Sequence, residues 1–331
     1  MHTHKRLTVE IAALGAYLPQ RVLSNQDLEQ MVDTSDEWIL PRTGIRERRI
    51  AADDEATSDL AIAAARQALD RAGMDASELD AVMVATCTPD HLFPATACLV
   101  QAAIGADSAM ACDLEAACSG FVYGFTCAAA MVGAGALGNA MVIGAETLSR
   151  FTDYKDRRTC ILFGDAAGAA ILRAPQNDGE LLYAELGADG SQPEILIIPG
   201  GGAREPASEG TVQAGDHFMK LQGREVFRQA VSKLVELLER IPDQTGVPLE
   251  DIKLVIPHQS NVRIINSAME RAGLPVEKAY MNIERVGNTS AASIPLAMAE
   301  AVEAGALKRG DLALFLAFGG GLTWASALLR Y

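Results

Sequence analysis

From Ala116 to Ala145 the chain carries no charged side chain. A run of that length must be kept from water, because about 20 apolar residues already suffice to span a bilayer. Yet it contains glycines at 120, 124, 133, 135, 138 and 144, with polar Asn139 inside it. That pattern reads as a buried helix (CSGFVYGFTCAAAMVGAG), a glycine turn and a buried strand (AMVIGAE). A helix apolar on all sides belongs in the interior of a large protein as readily as in lipid. The expectation is therefore a core element and no membrane span.

With 331 residues, 49% of them apolar, the chain is long enough for one large domain or two half-size ones. Strand patterns (DAVMVAT, AMACDLE, AMVIGAE, CILFGDAAGAAIL, LLYAELGAD, KLVIPH, DLALFLAF, WASALL) alternate with helical ones. The helical set includes SDLAIAAARQALDRAG, REVFRQAVSKLVELLERI, NVRIINSAMERAG and SAASIPLAMAEAVEAG. Such alternation predicts α/β layers. An internal repeat is visible too. Ala-Gly-Ala-Leu occurs at 134–137 and again at 304–307, an offset of 170 that carries Cys118 onto Asn288. Each copy ends an alanine-rich helix and precedes an apolar strand. The pattern predicts a duplication, with Cys118 and Asn288 at equivalent helix starts. The segment 199–215 reads as a long surface or lid loop.

Charge excludes some functions. The formal net charge is −15, from 28 basic and 43 acidic residues. A nucleic-acid partner needs a basic footprint, so none is expected. Six cysteines without a CxxC pair argue against a zinc knot or redox motif, and a chain this size needs no disulfide staples. Glu10 breaks the short N-terminal apolar run, so a signal peptide is not expected.

Three residues stand out for chemistry. Cys118, in DLEAACSGF, lies between a strand and a helix start. There the partial positive charge of the helix end favours thiolate, though a buried structural cysteine fits the context equally well. His258, in KLVIPHQSN, ends a buried strand, where α/β proteins place their sites; a hydrogen-bonded structural histidine is the bland reading. His2 and His4 are terminal, and His91 and His217 lie in polar loops. Asn288, in ERVGNTSAASIP, is either a site amide or a helix cap. The glycines of FGGGLTWASALL expose backbone N–H groups that suit an oxyanion, or simply form a tight hairpin.

Read in order, TSDEWI from Thr34, RTGIRER from Arg42, AACSGF, FGDAAGAA, PHQSN, GNTSAAS and FGGG resemble the β-ketoacyl-acyl carrier protein synthase III family over nearly the full length. The resemblance implies a thiolase-like α/β fold of five layers, α-β-α-β-α, with pseudo-symmetric halves at 1–175 and 176–331. It implies an acyltransferase that starts fatty-acid synthesis by decarboxylative Claisen condensation. Cys118 would take an acyl group from acyl-CoA in a ping-pong scheme, and malonyl-acyl carrier protein would lose carbon dioxide to give the attacking enolate. His258 and Asn288 would stabilise that enolate. Gly320 would serve the oxyanion through its N–H, and Phe318 would wall the site.

By the same resemblance Trp38 and Arg157 would flank the adenine of coenzyme A, with Arg42 and Asn261 on its nucleotide or pantetheine arm. Phe93 would reach the acyl pocket of a partner subunit, which implies a homodimer. Arg228, Arg263 and Arg271 would meet the acidic carrier protein, although Glu270 replaces a lysine common in the family and weakens that patch. Ser260, Val286 and Leu322 are smaller departures that bear on starter choice. Coenzyme A would enter as substrate; no bound cofactor, metal or nicotinamide is implied, and a cytoplasmic location is expected. The motifs leave open a starter enzyme of secondary metabolism. A cysteine hydrolase and a non-catalytic acyl-CoA binder fit the residues less well, and a thiolase proper would need a second catalytic cysteine. The starter acyl chain is not legible.

Overall fold

The computed structural model describes residues 6–176 and 178–331. His2, His4 and the rest of 1–5, with Asn177, lie outside the described residues. Two five-stranded sheets dominate. The first is built from β1 (Glu10–Tyr17), β2 (Ala81–Ala85), β3 (Met110–Leu114), β4 (Asn139–Glu146) and β5 (Ala166–Arg173), in the order β1-β5-β4-β2-β3. The second comprises β6 (Glu180–Ala188), β7 (Leu254–Pro257), β8 (Leu312–Gly319) and β9 (Thr323–Arg330), ordered β6-β9-β8-β7, with Leu7–Thr8 added beside β6. Parallel strands, β3, β2 and β4 in the first sheet and β7 with β8 in the second, are followed by antiparallel neighbours.

Helices complete five layers. α1 (Thr57–Ala72) and α2 (Thr96–Ile104) cover the outside of the first sheet. α1 buries Leu60, Ala61, Ala64, Ala65, Ala68 and Leu69, a stripe at helical spacing. Between the sheets lie α3 (Gly120–Gly133) and α6 (Ser293–Glu303). α4 (Gly223–Thr245) and α5 (Val262–Arg271) cover the second sheet. The charge-free run is α3, a turn and β4, as the sequence predicts. Phe121 and Phe125 of α3 meet Phe315 of β8 at ring separations of 5.4 to 6.2 Å. No helix among the described residues is long and apolar enough to cross a membrane.

The repeat is real, but its register differs from the expectation. Ala81 pairs with Ala140 in the first sheet, and Leu254 with Ala313 in the second. Ala117 and Ser290 share a φ of 45°. Each correspondence has an offset of 173. The Ala-Gly-Ala-Leu stops match at 170 because α6 has 11 residues where α3 has 14. Cys118 therefore corresponds to Ala291, and Asn288 lies three residues ahead of that position.

Two further readings change. CILFGD is a turn segment that reaches strand only at Ala166. The segment 199–215, exposed from 202 to 210, contains the short helix Glu209–Gln213.

Candidate active site

The two central helices begin at the same depth, and their preceding turns face one another. Cys118 lies in the turn Ala117–Ser119, ahead of α3. Ser290–Ala292 forms the matching turn ahead of α6. Ala117 and Ser290 occupy left-handed backbone without being glycine, which costs about 1–3 kcal/mol each and recurs at functional sites.

His258 follows the last residue of β7, its N–H donating to the Leu316 carbonyl at 2.7 Å. Asn288 is tied to the segment after Cys160 by two backbone bonds. Its N–H donates to Leu162 O at 2.9 Å, and Gly164 N–H donates to Asn288 O at 3.0 Å. Cys118, His258 and Asn288 all line one cavity of about 640 Å³, along with Phe318, Gly320 and Asn261.

Hydrogen bonds fix the two donors. Ser293 Oγ lies 2.8 Å from His258 Nδ1 and also accepts from Gln259 N–H at 3.4 Å. In the tautomer in which the serine hydroxyl donates to Nδ1, the imidazole proton sits on Nε2 and is available to donate. Asn288 Oδ1 accepts from Ser290 N–H at 2.9 Å, so its Nδ2 hydrogens remain to donate elsewhere. Burial pushes the His258 imidazolium pKa down to about 3. His258 is therefore a neutral donor over the physiological range.

Cys118 departs from the expectation. Its thiol is pushed up to about 12, mainly by burial; a Ser290 hydrogen bond opposes the rise and the nearby Glu146 carboxylate adds to it. Desolvation outweighs the helix end, so the resting sulfur carries its proton.

The glycine run has a steric role that its sequence does not reveal. A Cβ on Gly319 would stand 2.7 Å from Cys118 N and 3.1 Å from Cys118 Cβ. Gly319→Ala is expected to push the Cys118 backbone and displace the sulfur. A shift on the order of 1 Å lowers a rate about 10²-fold. Stopped-flow measurement of Cys118 acylation checks it, and a wild-type rate would refute the packing argument.

Around the mouth, Asn261 caps α5, accepting from Arg263 N–H at 2.8 Å, and its Nδ2 donates to Arg42 O at 2.9 Å. Both Arg42 and Arg157 lie over the Trp38 ring, at 4.6 and 5.1 Å from its centre. Arg228 pairs with Glu225 on α4, while Arg263, over the Phe227 ring, and Arg271 are exposed on α5. Phe93 is 87% exposed and does not line the cavity, although Leu92 beside it does. The sequence reading passed over Ser290, Ser293, Glu146 and Cys87. Only the doubled serine of NTSAAS hinted at the first two.

Five layers around two facing turns, with a cysteine on one half and two neutral donors on the other, place the chain among the thiolase-fold condensing enzymes. Comparison with known proteins narrows the class. The family model for 3-oxoacyl-[acyl-carrier-protein (ACP)] synthase III matches residues 112–190, and the model for its C-terminal part matches 243–331. The β-ketoacyl-[acyl-carrier-protein] synthase III of Solibacter usitatus is 51% identical over 325 residues, covering 97% of this chain and 98% of its own. That of Roseiflexus castenholzii is 50% identical over 321 residues, covering 97% of each. The crystal structure of 3-oxoacyl-[acyl-carrier-protein] synthase III from Aquifex aeolicus superimposes with a TM-score of 0.90 at 46% identity, covering 98% of this chain and all of that one. The chain belongs to the β-ketoacyl-[acyl-carrier-protein] synthase III family, the condensing acyltransferases that initiate fatty-acid synthesis.

Proposed function

We propose that Cys118 accepts an acyl group from acyl-CoA and passes it to an enolate formed from malonyl-acyl carrier protein by loss of carbon dioxide. The observation that carries this reading is the pair of fixed neutral donors, His258 Nε2–H and Asn288 Nδ2–H, lining the same cavity as the thiol. Decarboxylation develops negative charge on a thioester oxygen, and preorganised neutral donors suit that charge. Carbon dioxide loss replaces proton abstraction, so the step calls for no metal and no bound cofactor. The N–H of Gly320, with that of Cys118, holds the oxyanion of acyl transfer, and Phe318 walls the malonyl side. Turnover with a panel of acyl-CoAs and malonyl-carrier protein tests the reading. Negligible condensation with every malonyl donor would sink it.

Coenzyme A enters at the Trp38 corner. Arg157 rests on the indole and withdraws to admit the adenine, while Arg42 and Asn261 line the way in. Base stacking on an aromatic ring is worth about 1–3 kcal/mol. Trp38→Ala is therefore expected to raise KM for acyl-CoA about 5- to 160-fold with little change in kcat. An unchanged KM would place the nucleotide elsewhere.

Arg228, Arg263 and Arg271 offer the acidic carrier a local basic face on an acidic body, acting mainly on encounter rate. The chain works as a homodimer in the cytoplasm. Strand β3 is an edge of the first sheet, and Leu92 and Phe93 project from the surface, features that a second subunit would cover. In that dimer Phe93 closes the neighbouring acyl pocket.

A further inference from the structure

The functional residues named so far leave one buried cation without a role. Arg48, in the short strand Glu47–Ile50, is fully buried. Its guanidinium donates to neutral oxygens: Nη1 to Leu23 O at 3.1 Å and to Asn25 Oδ1 at 2.9 Å, and Nη2 to Ile161 O at 2.6 Å. Nε has no partner among the described residues. Taking a charge out of water without a countercharge is costly. A neutral amide could serve such oxygens with less desolvation. What a guanidinium adds is a rigid planar fork, which here fixes two separate segments in one geometry.

One of those segments supports Asn288. The stretch from Ile161 to Asp165 carries both backbone bonds of Asn288, through Leu162 O and Gly164 N–H. Arg48 pins the start of that stretch at Ile161 O. The Arg49 carbonyl pins its end, accepting from Asp165 N–H at 2.8 Å. The stem of Arg48 is wedged against two glycines beside these bonds. A Cβ on Gly164 would stand 3.0 Å from Arg48 Cβ, and one on Gly287 would stand 3.1 Å from it. Gly287, at a φ of 69°, immediately precedes Asn288. Arg46 N–H donates to Glu284 O at 2.9 Å, so the same part of the chain also braces the short helix leading into Asn288.

We infer that Arg48 positions Asn288 as an enolate donor, and thereby serves decarboxylation and not acylation. The inference rests on the reading that Asn288 Nδ2–H donates to the enolate. Asn288 Oδ1 is held by Ser290 N–H, so the direction of Nδ2 follows from where the backbone at 288 sits. That backbone is set by Leu162 and Gly164, and their segment by Arg48. The other site residues have different supports. His258 is held by Leu316 and Ser293, and the Cys118 turn by Thr323, whose Oγ1 donates to Ala116 O at 2.8 Å. Loss of Arg48 therefore falls on one donor. Asn25 orients the guanidinium: its Nδ2 donates to Asp36 Oδ1 at 2.8 Å and to Ile45 O at 2.7 Å, leaving Oδ1 for Arg48. Asp36 opens the helix Asp36–Thr43 that carries Trp38 and Arg42. One buried side chain thus joins the Trp38 corner to the enolate donor. Arg48 touches no reacting atom and is a positioning residue.

The test measures both half-reactions in the full-length enzyme, with rates expressed per acylatable Cys118. Arg48→Met is expected to slow carbon dioxide release from malonyl-acyl carrier protein about 10²-fold, the scale for one oxyanion donor. Acylation by acetyl-CoA and longer acyl-CoAs, followed by rapid-quench mass spectrometry, should stay near the wild-type rate. Arg48→Lys, which keeps the positive charge and a hydrogen-bond donor, should recover part of the loss. Added to Asn288→Ala, Arg48→Met should cost almost nothing further, because residues that act through one another are not additive. A purely structural arginine would multiply the two losses. Wild-type carbon dioxide release in Arg48→Met, an equal loss of both half-reactions, or multiplied losses in the double variant would overturn the inference. If Arg48→Met does not fold, Arg48→Lys carries the same comparison. Its loss must again be confined to carbon dioxide release and vanish in the Asn288→Ala background. Asn288→Ala alone separates the underlying reading. Wild-type release in it would remove the donor and the inference together, whereas a loss there with none in Arg48→Met overturns only the inference.

Discussion

Alanine at position 258 should leave Cys118 able to take up an acyl group while slowing carbon dioxide release from malonyl-acyl carrier protein about 10²- to 10³-fold, the usual loss for one oxyanion donor. The reason is the state of the ring. Buried and held by Ser293, His258 is neutral, with its proton on Nε2. It is equipped to donate to a developing enolate and poorly equipped to remove a thiol proton. Asn288→Ala should behave alike, because its Oδ1 is occupied by Ser290 N–H and only Nδ2 is left to donate. Rapid-quench assays of the separate half-reactions check both variants. Parallel loss of acylation in His258→Ala would mean that the histidine serves as a base, contrary to the tautomer argued here.

A second large effect is expected at the contact between the two halves behind the site. Gly144→Ala should destabilise the protein by about 3 kcal/mol or more, at the upper end of the overpacking range. A Cβ there would lie 2.1 Å from Ala291 O and 2.7 Å from Ala291 C. Both are backbone atoms of the turn ahead of α6, so no side-chain rotation relieves the clash. The first sheet and the second half's central helix would have to separate, which moves Ser290 and Asn288 with them. Denaturant unfolding gives the measure, and a midpoint equal to wild type would contradict the close approach.

Much of the fold was legible in the chain. The charge-free run pointed to α3 and β4 because most of it is apolar and buried, and the strand patterns are recognisable across both sheets. The duplication was visible, but its register was not. The eye was drawn to Ala-Gly-Ala-Leu, a helix stop, and α6 is shorter than α3 by three residues. Only strand pairing and the two left-handed residues reveal the true offset.

The site divides in the same way. Cys118, His258 and Asn288 announce themselves through local context and through resemblance. Ser293, Ser290 and Glu146 do not, because their roles depend on contacts with residues 35, 203 and 60 positions away, or on local turns whose geometry no pattern encodes. The thiolate expectation failed for a related reason. A helix end is readable from sequence, whereas the depth of burial that outweighs it is a property of the assembled layers.

The most direct test of the account is intact and peptide mass spectrometry of the protein mixed with a panel of acyl-CoAs. The prediction is one acyl group per chain, located on Cys118, for at least one member of the panel, and none on Cys118→Ala. Absence of any acyl adduct on the wild-type protein, or an adduct that persists in Cys118→Ala, would contradict it.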